Sequence, residues 1–143
     1  MNLSNENILH IKRDGFEYLQ FKRLNEYQQF ILDNPDVGYL KVQAFTAYGA
    51  IPIDDVDVLI TKDIGEYKVI FYEGKTDSEG IISDIMLPAP KTVTASDVEP
   101  SYTLYDLTCV SRGYETIKNY SIGMFGDVRV LQYVKMRQEN SYD

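Results

Sequence analysis

The sequence predicts a mainly β fold, an immunoglobulin-like antiparallel β-sandwich of about seven strands with an N-terminal hairpin and a short helix. Short runs in which apolar and polar residues alternate are separated by turn residues about every ten positions. The 143 residues include 12 Tyr, and Tyr suits a pleated surface that is wet on one side. A hydrophobic content of 44% is that of a globular protein.

Residues 1–37 are predicted to form an N-terminal extension. Asp14-Gly15 lies between apolar runs, which is a strong hairpin signal over Ile8 to Phe21. A helix from Phe16 onward is the alternative. We favour the hairpin, followed by a short helix from about Leu24 to Leu32 that Pro35 terminates.

Residues 38–136 carry the predicted sandwich, and residues 137–143 are expected to be a loose C-terminal tail. Strands are predicted where buried-type side chains recur at every second position. Thr76 to Gly80 reads as a tight turn in which Gly80 supplies a positive φ. Three strands are predicted where residues of one face recur: Leu40, Val42 and Ala44; Val56, Val58 and Ile60; and Tyr67, Val69 and Phe71. On the strand from Tyr102 to Val110 the inward side chains are Tyr105, Leu107 and Cys109. Further strands are predicted at Ile81 to Leu87, Tyr120 to Ile122 and Val128 to Val134.

The formal charge of −8 bears on the partner class. Nucleic acid and anionic membrane surfaces both require a basic patch, so the charge disfavours them. The sequence shows no apolar run of the roughly 20 residues that a spanning helix needs, and its N-terminus lacks the order of a signal peptide. We therefore expect no membrane insertion and a protein that is cytoplasmic or associated with a spore or cell envelope.

Cys109 is the one cysteine and His10 the one histidine. A nucleophilic thiol would need a basic partner, but these two residues are far apart in the sequence. Cys109 lies in an apolar strand pattern, so we interpret it as a small buried hydrophobe.

Two groups of carboxylates were considered as sites. Asp54, Asp55 and Asp57 are close in sequence, but Ca²⁺ requires six to eight converging oxygens, and an acidic edge that discourages strand aggregation is the simpler interpretation. Asp77 and Glu79 are two residues apart, and the expected role of Asp77 is to bond the backbone of its turn. We assign no catalytic, cofactor-binding or metal-binding residue, and we expect that the chain is not an enzyme and uses no cofactor.

Several short motifs occur in a characteristic order. They are Gly38-Tyr39-Leu40-Lys41-Val42, Ile51-Pro52-Ile53 with Val56, Val58 and Ile60, Thr76-Asp77-x-x-Gly80, Leu87-Pro88-Ala89-Pro90, Tyr102-x-x-Tyr105-x-Leu107 and Gly113-Tyr114. This order resembles that of the carboxypeptidase-regulatory-like (transthyretin or prealbumin-like) β-sandwich, and more narrowly the N-terminal part of Firmicutes spore-cortex-lytic enzyme precursors. The resemblance covers about Gly38 to Met136, includes no catalytic domain and implies an accessory module.

Two further motifs are excluded on local grounds. Gram-positive adhesin sandwiches can carry a Lys–Asn isopeptide bond, but Lys41 alternates onto the outward face and the last predicted strand contains no Asn. The stretch Gly123 to Gly126 has two glycines, but no helical pattern follows it as in a phosphate loop.

The sequence therefore predicts a non-enzymatic sandwich module for protein or glycan contact, with self-association into a homo-oligomer as one form of that contact and a link to a Gram-positive envelope or spore. The alternative is a regulatory, pro-region-like partner of a separately encoded peptidoglycan-lytic enzyme.

Overall fold

The computed structural model describes the backbone of residues 8–10 and the full residues 25–92 and 99–139. Within these ranges the chain forms one helix and eight strands, of which the first has three residues. In chain order they are β1 (Ile8–His10), α1 (Asn25–Asp33), β2 (Asp36–Thr46), β3 (Asp57–Ile64), β4 (Tyr67–Lys75), β5 (Ile81–Ala89), β6 (Thr103–Val110), β7 (Ile117–Met124) and β8 (Arg129–Met136).

The strands form two sheets, which confirms the predicted mainly β sandwich. One sheet has the order β1-β4-β3-β6-β7 and the other the order β5-β2-β8. Most neighbours are antiparallel, but β2 pairs with β8 in parallel, and β1 pairs with β4 in parallel. The parallel pairs join strands that are distant in sequence, which alternation alone does not predict.

The core lies between the sheets and is built from the inward half of each alternating strand. Leu40, Val42 and Ala44 are buried, as predicted, and so are Tyr105, Leu107 and Cys109. Tyr105 also joins the two layers, because its hydroxyl on β6 donates a hydrogen bond to the carbonyl oxygen of Pro88 on β5. A buried tyrosine of this kind supplies a large apolar ring and one satisfied polar tip.

Helix α1 closes one end of the sandwich. It begins and ends one residue later than predicted, and its Phe30 is buried against Phe71, with ring centroids 5.6 Å apart. Asn34 follows the helix; its Nδ2 donates to the Phe30 carbonyl at 2.8 Å, and its Oδ1 accepts from Thr103 Oγ1. The buried amide thus satisfies a carbonyl at the helix end and ties it to β6.

The predicted turn at Thr76 to Gly80 is held by three side-chain and backbone features. The Thr76 hydroxyl donates to the Ile53 carbonyl at 2.8 Å and accepts from the Val56 N–H at 2.9 Å. Asp77 Oδ1 accepts from two backbone N–H groups, those of residues 79 and 81, each at 2.9 Å. Gly80 has φ +75° and its carbonyl accepts from Ala44 N at 2.7 Å. The turn therefore fixes the loop before β3 as well as its own strands.

Predicted boundaries differ from the structure at β7 and at the C-terminal end. Strand β7 runs over eight residues rather than from Tyr120 to Ile122, because its middle is exposed and shows no apolar alternation. Residues 137–139, predicted to be loose, are hydrogen-bonded: Arg137 O accepts from Glu115 N, and Glu139 N donates to Gly113 O. Ile8–His10 pairs with β4, while the turn and second half of the predicted hairpin lie outside the described residues.

Candidate functional site: the outer face of the three-stranded sheet

The outer face of the β5-β2-β8 sheet carries apolar side chains where a solvated face is normally polar. Strict alternation puts Tyr39 and Phe45 of β2 on this face, and the β2–β8 register sets Leu131 beside Lys41 and Tyr133 beside Gln43. On β5, Met86 pairs with Tyr39. We call this set the apolar face: Tyr39, Phe45, Met86, Leu131 and Tyr133.

Much of the apolar face is open to solvent. The exposed fraction is 65% for Met86, 45% for Leu131 and 53% for Tyr133. Phe45 and Tyr133 are in edge-to-face contact, with ring centroids 5.8 Å apart, so this pair is ordered in the free protein. Ordered aromatic side chains lose little conformational entropy when a partner covers them.

Basic side chains lie among and beside the apolar residues of this face. The Arg129 guanidinium lies 4.9 Å from the centroid of the Tyr39 ring, and its Nη1 is 3.5 Å from Asp84 Oδ1. Lys41 and Lys135 lie on the same face through the β2–β8 register. A shallow pocket of about 320 Å³ opens here, between Lys41, Asp84 and Arg129. The face is therefore apolar and basic on a chain whose net charge is −8, an arrangement suited to a partner with apolar and acidic or hydroxyl groups.

Asp55 and Asp57, two of the carboxylates that are close in the sequence, contact one lysine in the structure. Lys75 Nζ lies 2.8 Å from Asp57 Oδ1 and 3.6 Å from Asp55 Oδ1, and the hydrogen bond to Asp57 raises the pKa of Lys75. Asp54 is exposed beside them. Among the described residues, no group of three or more His, Cys, Asp or Glu side chains is arranged to hold a metal ion.

The other residues singled out from the sequence lie apart from one another. Asp77 is engaged in its turn, as expected, and Lys41 is exposed on the outer face, where the alternation placed it. The Gly123 to Gly126 stretch leads into β8 rather than into a helix. His10 is described by its backbone, in β1 beside Ile70 of β4.

Cys109 is fully buried in β6, and burial raises the pKa of its thiol to about 12. We expect the native protein to react with iodoacetamide at pH 8 at least about a hundredfold more slowly than the protein unfolded in guanidinium, because thiolate formation and access are both suppressed. Cys109 is the single cysteine, so mass spectrometry of the whole chain reports on it alone. Equal rates in the two states would contradict the buried position.

Lys62 is a feature that the sequence did not reveal. Its Nζ donates to the Leu104 carbonyl at 2.8 Å and lies 5.7 Å and 6.0 Å from the ring centroids of Tyr105 and Phe30. Burial lowers the pKa of this amine, while Asp106 and Asp63 oppose the shift. Lys62 shares the inward side of β3 with Ile60 and Ile64, so it lies over the end of the core. Its aliphatic stem and satisfied amine make it part of the helix-end packing.

No protein-family model matches the sequence, and no curated protein matches it. Similar solved structures include the Bacillus anthracis TIE protein, with 14% identity and TM-score 0.50 over 72% of this chain and 17% of that chain. GBS52, the minor pilin of the Gram-positive pathogen Streptococcus agalactiae, has 13% identity and TM-score 0.47 over 76% of this chain and 47% of that chain. This chain therefore spans a minor part of either protein.

A third similar structure corrects one prediction. Klebsiella pneumoniae 5-hydroxyisourate hydrolase has 14% identity and TM-score 0.42 over 71% of this chain and 92% of that chain. The prediction that the chain is not an enzyme is contradicted, because an enzyme of nearly matching extent is among the proteins similar to it. At this identity the likeness concerns the fold and assigns no activity.

In the described part of the chain, no helix is long and apolar enough to cross a membrane. Of the three structures, the TIE protein reaches a TM-score of 0.50, and at 14% identity this likeness concerns the fold alone.

Proposed function

We propose that this chain is a β-sandwich contact module of a Gram-positive cell-envelope or spore assembly, which binds a protein or glycan partner through the apolar face. The observation that carries the proposal is the exposure of Met86, Leu131 and Tyr133 together on one sheet face. Contiguous exposed apolar side chains with a polar rim are typical of interaction sites. The Tyr39–Arg129 pair supports the same assignment, because Tyr and Arg are enriched among residues that dominate binding energy.

The envelope or spore setting is supported by the sequence. The motif order from about Gly38 to Met136 resembles the N-terminal part of Firmicutes spore-cortex-lytic enzyme precursors, and a Bacillus anthracis protein contains a similar fold. A separately encoded peptidoglycan-lytic enzyme is one protein partner of this kind, and binding to the module would then change its rate. A second copy of this chain is another.

Co-sedimentation tests the proposal. The full chain is mixed with purified Gram-positive cell walls, and in parallel with spore coats, and the bound fraction is measured over a concentration series. We expect saturable binding, and we expect the Met86→Ser/Leu131→Ser double variant to bind at least about tenfold more weakly, because a partner buries both side chains.

The matched control is Leu32→Ser. Leu32 is 73% exposed on α1, at the helix end of the molecule, so this variant removes an exposed apolar side chain without touching the apolar face. Equal losses in the two variants would show non-specific adsorption. No binding of the wild-type chain to either preparation would count against the envelope setting.

A further inference from the structure

Strands β7 and β8 are consecutive in the chain but belong to different sheets. Residues 125–128 connect them, and a β-hairpin would be the usual outcome of so short a connection. Instead β7 pairs with β6 and β8 pairs with β2, and in the ranges that the structure describes no backbone hydrogen bond joins β7 to β8. We call the gap between these two strands the seam.

The seam is closed at the end remote from that connection. There Glu115 N donates to Arg137 O at 2.8 Å, and Glu139 N donates to Gly113 O at 3.0 Å. Between the closed end and the 125–128 connection lies a groove of about 240 Å³. This volume suits a few side chains of an extended segment rather than a large ligand.

The groove is apolar at its floor and aromatic at its rim. Its floor includes Leu107, which is fully buried in the protein, and Val134, which is 4% exposed. Tyr120 of β7 and Tyr133 of β8 form its walls, with exposed fractions of 51% and 53%. Lys135 also lines it. Side chains that alternate between apolar and acidic character would therefore find matching surroundings.

Both strands present an edge to the seam. All eight residues of β8 are paired with β2 without a register shift, so its other edge is regular. Strand β7 bends where Asn119 has φ +55°, and its pairing with β6 is regular from Tyr120 to Met124. Among the described residues neither of these edges is paired with a further strand, and unpaired strand edges are templates for one.

The charged side chains around the seam indicate which charge an added strand would need. Lys135 lines the groove and Lys118 is exposed on β7, whereas Glu115 and Glu139 lie at the closed end. Two copies of the seam that faced each other would bring Lys118 and Lys135 of each near those of the other, and this repulsion disfavours symmetric self-pairing. An acidic segment from a different protein meets no such cost.

We propose that the seam binds an extended acidic segment of a partner protein, which adds as a strand between β7 and β8. This site adjoins the apolar face and shares Tyr133 and Lys135 with its surroundings, but its test does not depend on binding to cell walls or spore coats. The added strand would join the two sheets along one edge of the sandwich, with its apolar side chains over Leu107 and Val134 and its carboxylates toward Lys118 and Lys135.

Three capped eight-residue peptides test this proposal on the full chain: alternating Val and Glu, alternating Val and Lys, and the Val–Glu peptide with its two central Val residues replaced by Pro. Binding is measured by fluorescence anisotropy and mapped by amide NMR shifts. We expect the Val–Glu peptide to bind at least about tenfold more tightly than the other two, since Lys reverses the charge and Pro removes ladder donors. The shifts should lie in β7 and β8.

Charge reversal at the seam supplies the matched variants. Lys118→Glu/Lys135→Glu should weaken Val–Glu binding at least about tenfold and strengthen Val–Lys binding, whereas Lys91→Glu, an exposed lysine after β5, should change either by less than about twofold. The proposal is wrong if the three peptides bind equally, if none binds at millimolar concentration, or if the shifts lie outside the seam. Seam shifts that grow with protein concentration in the absence of peptide would identify a second copy as the occupant instead.

Discussion

Gly80→Ala should lower the free energy of unfolding by about 3–5 kcal/mol, measured by urea denaturation. Gly80 has φ +75°, and a Cβ atom there would lie against the Ala44 carbonyl oxygen, closer than real Cβ atoms come, and 3.2 Å from Ile53 N. The contacted atoms are backbone atoms of β2 and of the loop before β3, so no side-chain rotation relieves the clash. The same substitution would strain the hydrogen bond that the Ala44 N–H donates to the Gly80 carbonyl.

Gly113→Ala separates the two causes. Gly113 has an even larger positive φ of +86°, but a Cβ atom there meets nothing within 4 Å. Gly113→Ala should therefore lower the free energy of unfolding only by the cost of a positive φ for alanine, about 1–2 kcal/mol. Equal losses for the two variants would show that the close approach to β2 contributes nothing.

Thr76→Val should destabilise the protein by about 2–4 kcal/mol, because each buried polar group left without a partner costs roughly 1–3 kcal/mol. Val has almost the shape of Thr but neither donates nor accepts a hydrogen bond. Thr76 is 4% exposed, and the change would leave the Ile53 carbonyl and the Val56 N–H unpaired beside the core.

Thr76→Ser is the matched control, since it keeps the hydroxyl and removes one methyl group. We expect a loss of about 1 kcal/mol, close to the value for one buried methyl group. If the Ser variant is destabilised as much as the Val variant, the methyl packing rather than the hydroxyl explains the role of Thr76.

Alternation was sufficient to predict the fold class and most inward side chains, because one face of each strand is buried and a slip of one residue would expose its apolar set. Asn34-Pro35 fixed the end of the helix for an equally local reason. The burial of Phe30 was not predictable, since the helix is polar on most of its surface and only its position over Phe71 decides which ring is covered.

The candidate sites depend on pairings between distant segments, and this is why the sequence did not reveal them. Leu131 and Tyr133 read as ordinary outward residues of a last strand, and they become part of an apolar face only because β8 lies beside β2. The seam requires that β7 and β8 do not pair, although their short connection predicts a hairpin. Lys62 was missed because its place depends on groups from distant segments, the Leu104 carbonyl and the rings of Phe30 and Tyr105.

The parallel arrangement of β2 and β8 also determines how the sandwich would carry mechanical load. Eight consecutive residue pairs, from Tyr39–Arg129 to Thr46–Met136, join the two strands. Tension applied between residues 36 and 136 pulls the strands in opposite directions along their length, so these interstrand bonds are sheared together rather than opened one after another. Force-driven rupture is governed by the unfolding barrier. Because the interstrand hydrogen bonds share the load in shear, they must break together, which makes that barrier high.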